Sequence, residues 1–125
     1  MSKEIMEGNK LIAEFMGEWE LRKPDLSRAY KGEHYLHKDR QYIINDIELK
    51  YHTSWDWLMP VVEKIRTLNP DKGKLWFEWE ILFCHCRIWS NTKLEWKNNS
   101  GTTINAVFES VTQFIQWYNQ QNQKQ

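Results

Sequence analysis

Between Leu75 and Ile88 the chain alternates apolar and polar residues in two phases that do not match. Leu75, Phe77, Trp79, Ile81 and Phe83 share one parity, with Trp76, Glu78 and Glu80 on the other. From Leu82 onward the apolar residues Cys84, Cys86 and Ile88 take the opposite parity, with His85 and Arg87 between them. Strand side chains point to opposite faces with a period of two, so one unbroken strand would put half of these apolar residues in water. The segment therefore calls for a bulge, or a break into two strands, near Phe83. Ser90-Asn91-Thr92 turns the chain, Leu94-Glu95-Trp96 is a short further strand, and Asn98-Asn99-Ser100-Gly101 ends it; together these predict an antiparallel meander.

Helical periodicity brackets this sheet. From Lys3 to Gly17, Ile5, Met6, Leu11, Ile12, Phe15 and Met16 follow a loose 3.6-residue period, which predicts an amphipathic helix stopped by Gly17. In Tyr51 to Leu68, Leu58, Val61, Val62, Ile65 and Leu68 fall on one helical face. Pro60 limits where that helix can start, because an interior proline removes a hydrogen bond and clashes with the preceding turn, at about 3 kcal/mol. An N-cap at Asp56 keeps Pro60 in the first turn and is expected, with Ser54 the rival cap. Near the C-terminus Ile104, Val107, Phe108, Val111, Phe114, Ile115 and Tyr118 form a stripe behind a Thr102 or Thr103 cap.

Three helices and a small antiparallel sheet of about three strands make the expected fold α+β, an α-β-α sandwich-like single domain over residues 1–118. Asn119 to Gln125 has nothing to bury and is expected to fray. Leu21 to Gln41 holds a Pro, a Gly, many charges and no period, and is expected to be a long connection; residues 42 to 52 look extended, and Asn69 to Gly73 has the residue types of a tight turn.

At 125 residues one core is expected, and eight Trp, five Tyr and five Phe should make it aromatic-rich. Lys+Arg 17 balances Asp+Glu 17, so no global field draws the chain to nucleic acid or to an anionic membrane. No apolar run of membrane-spanning length occurs, and the first ten residues lack the apolar core of a signal peptide. Cys84 and Cys86, the only cysteines, would project from an extended segment to the same face near the limit of disulfide geometry, which favours reduced thiols and a cytoplasmic protein.

Three stretches carry a resemblance: Asn9 to Gly17 (NKLIAEFMG), Tyr51 to Ile65 (YHTSWDWLMPVVEKI) and Ala106 to Asn119 (AVFESVTQFIQWYN). Together they resemble the phage ABA sandwich domain family of small proteins from Bacteroidetes phages and prophages. The first is similar to the family's opening helix ending in Met-Gly, the second to its Tyr-x-x-Ser-x-Asp turn before a Val-Val-Glu-Lys helix, the third to its closing helix. The resemblance implies an α-β-α arrangement and a phage origin. Leu21 to Gln41 and the cysteine-containing strand fall outside it, and it brings no catalytic residues.

Several constellations carry possible chemistry. His52, Ser54 and Asp56 alternate just before a helix, where an acid–base or metal site is conceivable; capping and turn closure account for the same residue types. Cys84-His85-Cys86 with His34 and His37 is a nominal zinc set, yet one residue between the cysteines splays the thiols, so no metal or cofactor is expected and core packing is preferred. A thiol- or metal-dependent hydrolase built on His52, Cys84 and His85 lacks any group to lower a thiol pKa. A nucleotide or small-ligand site could stack a base on an aromatic and hold a phosphate with basic residues of Arg22 to Arg40, without a Gly-rich phosphate loop. The favoured reading is a non-enzymatic interaction protein that binds a host or phage protein, or a second copy of itself, through Trp55, Trp57 and Trp76.

Overall fold

The elements run α1 (Lys3–Met16), β1 (Trp19–Arg22), β2 (His34–His37), β3 (Ile43–Asn45), α2 (Trp55–Thr67), β4 (Phe77–Leu82), β5 (His85–Ser90), β6 (Glu95–Asn99) and α3 (Thr103–Gln123). This is a computed structural model that describes residues 2–22, 34–38, 43–45, 48–68 and 75–123. The class is α+β, but the strands form two three-stranded antiparallel sheets, β1-β2-β3 and β4-β5-β6, where one was expected. The chain divides into two compact units, Met1–Lys50 and Tyr51–Gln125.

In the first unit Ser2 caps α1 by accepting a hydrogen bond from the Ile5 N–H (3.2 Å). Gly17 ends it in the left-handed region (φ 71°), where the missing Cβ avoids a clash, and its N–H donates to the Ala13 carbonyl. Asn9, fully buried, donates to the Leu49 carbonyl at 3.3 Å and ties the middle of α1 to the end of the unit. Trp19 pairs with His37 and Arg22 with His34, so Leu21–Arg22 and His34–His37 of the expected 21–41 connection lie in strands. The charges and Pro24 of that stretch hid strands of four residues, too short to display an alternation. Residues 23–33 and 39–41 of it lie outside the described residues, as does the 69–73 turn.

In the second unit the phase conflict resolves as a hairpin. Leu82 pairs with His85, and Phe83-Cys84 form a two-residue turn in which Cys84 takes a positive φ of 55°. The break falls where the alternation demanded it. Cys84 and Cys86 therefore do not share one extended strand: Cys86 is buried on β5, while Cys84 is half-buried in the turn. Phe83, expected among the strand's apolar residues, stands in solvent.

The β4-β5-β6 meander packs its Phe77, Cys86 and Ile88 face on α3, whose Val107, Val111, Phe114 and Ile115 are buried. Phe114 lies edge-on to Phe77 (4.8 Å between centroids) and to Trp96 (5.3 Å), with Trp117 beside them. The buried Trp79 indole N–H has no partner among the described residues, whereas the polar groups that β6 and α3 bring into this layer are paired. Asn98 donates to Ser110 Oγ (2.8 Å), and Ser110 donates to the Cys86 carbonyl (3.4 Å). Thr102 caps α3 by accepting from the Asn105 N–H at 3.2 Å, and the helix continues to Gln123, past the expected fraying point at Asn119.

Helix α2 lays Leu58, Val61, Val62 and Ile65 into the core and packs against both α3 and β4. Its N-cap is Ser54, not the expected Asp56; the Ser54 carbonyl accepts from Trp57 and Leu58 N–H groups. Pro60 thus sits inside the helix. The carbonyl it would deprive is that of Asp56, and both residues are exposed, so water can take the place of the missing donor. Starting the helix at Trp55 also brings the Trp57 ring edge-on to buried Tyr51, 5.2 Å between centroids.

Candidate functional site

Of His52, Ser54 and Asp56, His52 lines a recess that the other two do not. It lines a shallow, open recess of about 550 Å³ with Thr53, Ser100, Gly101, Thr102, Ile104 and Asn105. Burial pushes the His52 pKa below its ordinary value of 6.5, and its ring lies 6.1 Å from that of Phe108. Ser54 and Asp56 serve the start of α2. Three of the recess's polar side chains are committed: Asn105 bonds Ser100 Oγ and Glu109 Oε1, and Thr102 Oγ1 caps α3.

The thiols and the other described histidines are engaged separately, and the His34 side chain lies outside what the structure describes. Burial pushes the Cys86 thiol up to about 11 against an opposing hydrogen bond from Ser110, which leaves it protonated at neutral pH. Cys84 is held by its backbone, donating from N–H to Thr103 Oγ1 (2.9 Å) and accepting from the Ser100 N–H (2.9 Å). His85 spans the three strands, Nδ1 facing Asn99 Oδ1 at 2.8 Å and Nε2 facing Glu80 Oε1 at 3.2 Å. His37 packs edge-on to Trp19 in the first unit. Among the described residues no three His, Cys, Asp or Glu side chains cluster as metal ligands.

Apolar exposure is concentrated instead. Among the described residues the large hydrophobics left in solvent are Phe83 (90%), Leu82 (57%), Trp76 (51%), Trp55 (39%) and Met59 (38%). Trp76 immediately precedes β4, and Leu82-Phe83 end it, so the strand carries exposed apolar residues at both ends, about 24 Å apart at strand rise. Trp55 and Met59 are one helical turn apart on α2, the helix packed on β4. All five therefore belong to β4, its ends, or the helix against it.

The Trp76 backbone is fixed there by donation from its N–H to Asn91 Oδ1 at 3.0 Å. Trp57 is half-buried against Tyr51. The sequence reading passed over Leu82, Phe83 and Met59. The signal for the first two was the change of phase itself, since residues at a break belong to neither face.

The outer face of the same sheet is polar. Arg87 pairs with Glu95 (2.9 Å) and lies 4.4 Å above the Trp89 ring. Among the described residues no helix is long and apolar enough to cross a membrane. Comparison with protein-family models, curated proteins and solved structures finds no match.

Proposed function

We propose that the chain is a non-enzymatic protein-interaction module, an accessory protein of phage or prophage origin that works in the host cytoplasm. What supports the reading is the placement of Trp76, Leu82 and Phe83 at the two ends of one strand, with Trp55 and Met59 on the helix packed against it. A small domain leaves few large apolar side chains in water together unless something covers them, and aromatic anchors dominate protein interfaces. The phage origin rests on the sequence resemblance. A hydrolytic role has weaker support: the buried Cys86 thiol is held protonated.

The test is capture of a partner by the tagged protein from lysate of infected or prophage-bearing host cells. A Trp76→Ala/Phe83→Ala variant should keep its melting temperature and lose the partner. Retention of the partner, or loss of folding in the variant, would refute the reading.

A further inference from the structure

Strand β4 lies at an edge of its sheet, and the hairpin fixes which of its backbone groups face outward. In a two-residue hairpin the closing pair exchanges both hydrogen bonds, and bonded and non-bonded pairs then alternate along the ladder. Leu82-His85, Glu80-Arg87 and Glu78-Trp89 are accordingly the bonded pairs. The N–H and C=O groups of Phe77, Trp79 and Ile81 point away from β5, and among the described residues nothing bonds them. The same rule turns the even-numbered groups of β5 toward β6, as the bonds from Ser100 N–H to Cys84 C=O and from Ser90 N–H to Leu94 C=O require.

This edge has none of the usual protections of lysine, proline or a bulge. It has two carboxylates instead. Glu78 and Glu80 stand on the polar face beside the edge; Glu80 gives one oxygen to His85, and Glu78 has no ion-pair partner among the described residues. Their spacing decides who can pair here. A second copy must align its own outward groups with those of Phe77, Trp79 and Ile81, and every antiparallel register that matches more than one of these residues sets glutamate opposite glutamate. Like charges directly opposite one another destabilise a pair of strands, whereas opposite charges stabilise it. The edge therefore rejects itself and favours a basic strand.

We infer that β4 is a strand-addition site for an extended segment of a partner protein with Lys or Arg at alternate positions, which would face Glu78 and Glu80 while its apolar residues extend the inner face of the sheet. Trp76 and the Leu82-Phe83 tip then flank the two ends of the added strand. The inference rests on the interaction reading above and specifies its mode. Main-chain bonds supply affinity in such complexes, and alternate side chains supply selectivity.

The probe is an acetylated, amidated heptapeptide with lysine and valine at alternate positions, lysine at both ends. Two controls accompany it, one with glutamate in place of lysine and one with every valine N-methylated, so that it cannot donate to the edge. Amide hydrogen exchange of the full chain is read residue by residue. The lysine peptide should slow exchange at Phe77, Trp79 and Ile81 at least about tenfold, leave the already bonded Glu78 and Glu80 amides unchanged, and outbind both controls. In a Glu78→Lys/Glu80→Lys variant the preference should reverse toward the glutamate peptide. No protection at the three edge amides, equal binding of the N-methylated peptide, or an unchanged preference in the variant would each overturn the inference. A cellular partner lost on Trp76→Ala/Phe83→Ala but kept on Glu78→Lys/Glu80→Lys would overturn strand addition alone and leave the interaction reading standing.

Discussion

Phe114→Ala tests the account of the core most directly. Its ring is fully buried, edge-on to Phe77 at 4.8 Å and 85° and to Trp96 at 5.3 Å and 79°, with Trp117 5.9 Å away. Truncating a buried Phe costs about 3–5 kcal/mol, which combines lost transfer energy with the cavity left behind. Four rigid rings, the fourth that of Tyr118, border this cavity and cannot fold into it as an aliphatic chain would, so the cost should sit in the upper half of that range. For a unit of this size about 4 kcal/mol lowers the melting temperature by roughly 15–30 °C. Trp96 and Trp117 make intrinsic fluorescence the natural readout, with circular dichroism followed in parallel. Combining the change with Phe77→Ala should return a coupling of about 0.5–1.5 kcal/mol for the edge-to-face pair. Phe83→Ala, at a residue 90% exposed, is the control and should shift stability by less than about 0.5 kcal/mol. A Phe114→Ala loss below about 1.5 kcal/mol, or one no larger than that of Phe83→Ala, would refute this picture of the core.

Two further outcomes follow from the titrating groups. Burial lowers the His52 pKa below 6.5, so as pH falls through that value the unfolded chain takes up a proton that the folded one resists. Stability should therefore be complete above the unfolded pKa and decline on acidification, and His52→Gln should flatten this part of the melting-temperature profile between pH 7.5 and 5.5. Cys86, with its thiol pushed up to about 11, should resist a thiol reagent at pH 8 in the native protein and react on unfolding, while half-buried Cys84 reacts first. A Cys84→Ser variant that still loses a thiol rapidly in the native state would contradict that order.

What could be read from the sequence was set by the length of each pattern. The apolar stripes of α1, α2 and α3 run over several turns and fixed those helices, with Gly17 and Thr102 marking an end and a start as expected. The meander followed from two alternations too long to be accidental. Of the first sheet only β3 lies in a stretch that looks extended, residues 42 to 52; β1 and β2 were missed because each is four residues long, which shows hardly more than one repeat of a two-residue period. The cap of α2 lies two residues before the one the proline rule predicts, because at an exposed helix end water can donate to the Asp56 carbonyl in place of the N–H that Pro60 lacks. Of the candidate surface, Trp55 and Trp76 were legible as excess aromatics. The Leu82-Phe83 tip was not, since parity assigns a side to every residue of a strand and has no symbol for one that leaves it.

Chain order gives the second unit a temporal asymmetry. Strands β4, β5, β6 and helix α3 are consecutive in the sequence and each packs on its neighbour, so this part closes only short loops and can form on the microsecond timescale of hairpins and helices. Helix α2 precedes them, and its stripe of Leu58, Val61, Val62 and Ile65 leaves the ribosome before the strand and helix that will cover it. During synthesis this stripe stays exposed until the meander and α3 assemble, and the speed of that assembly sets how long it remains so.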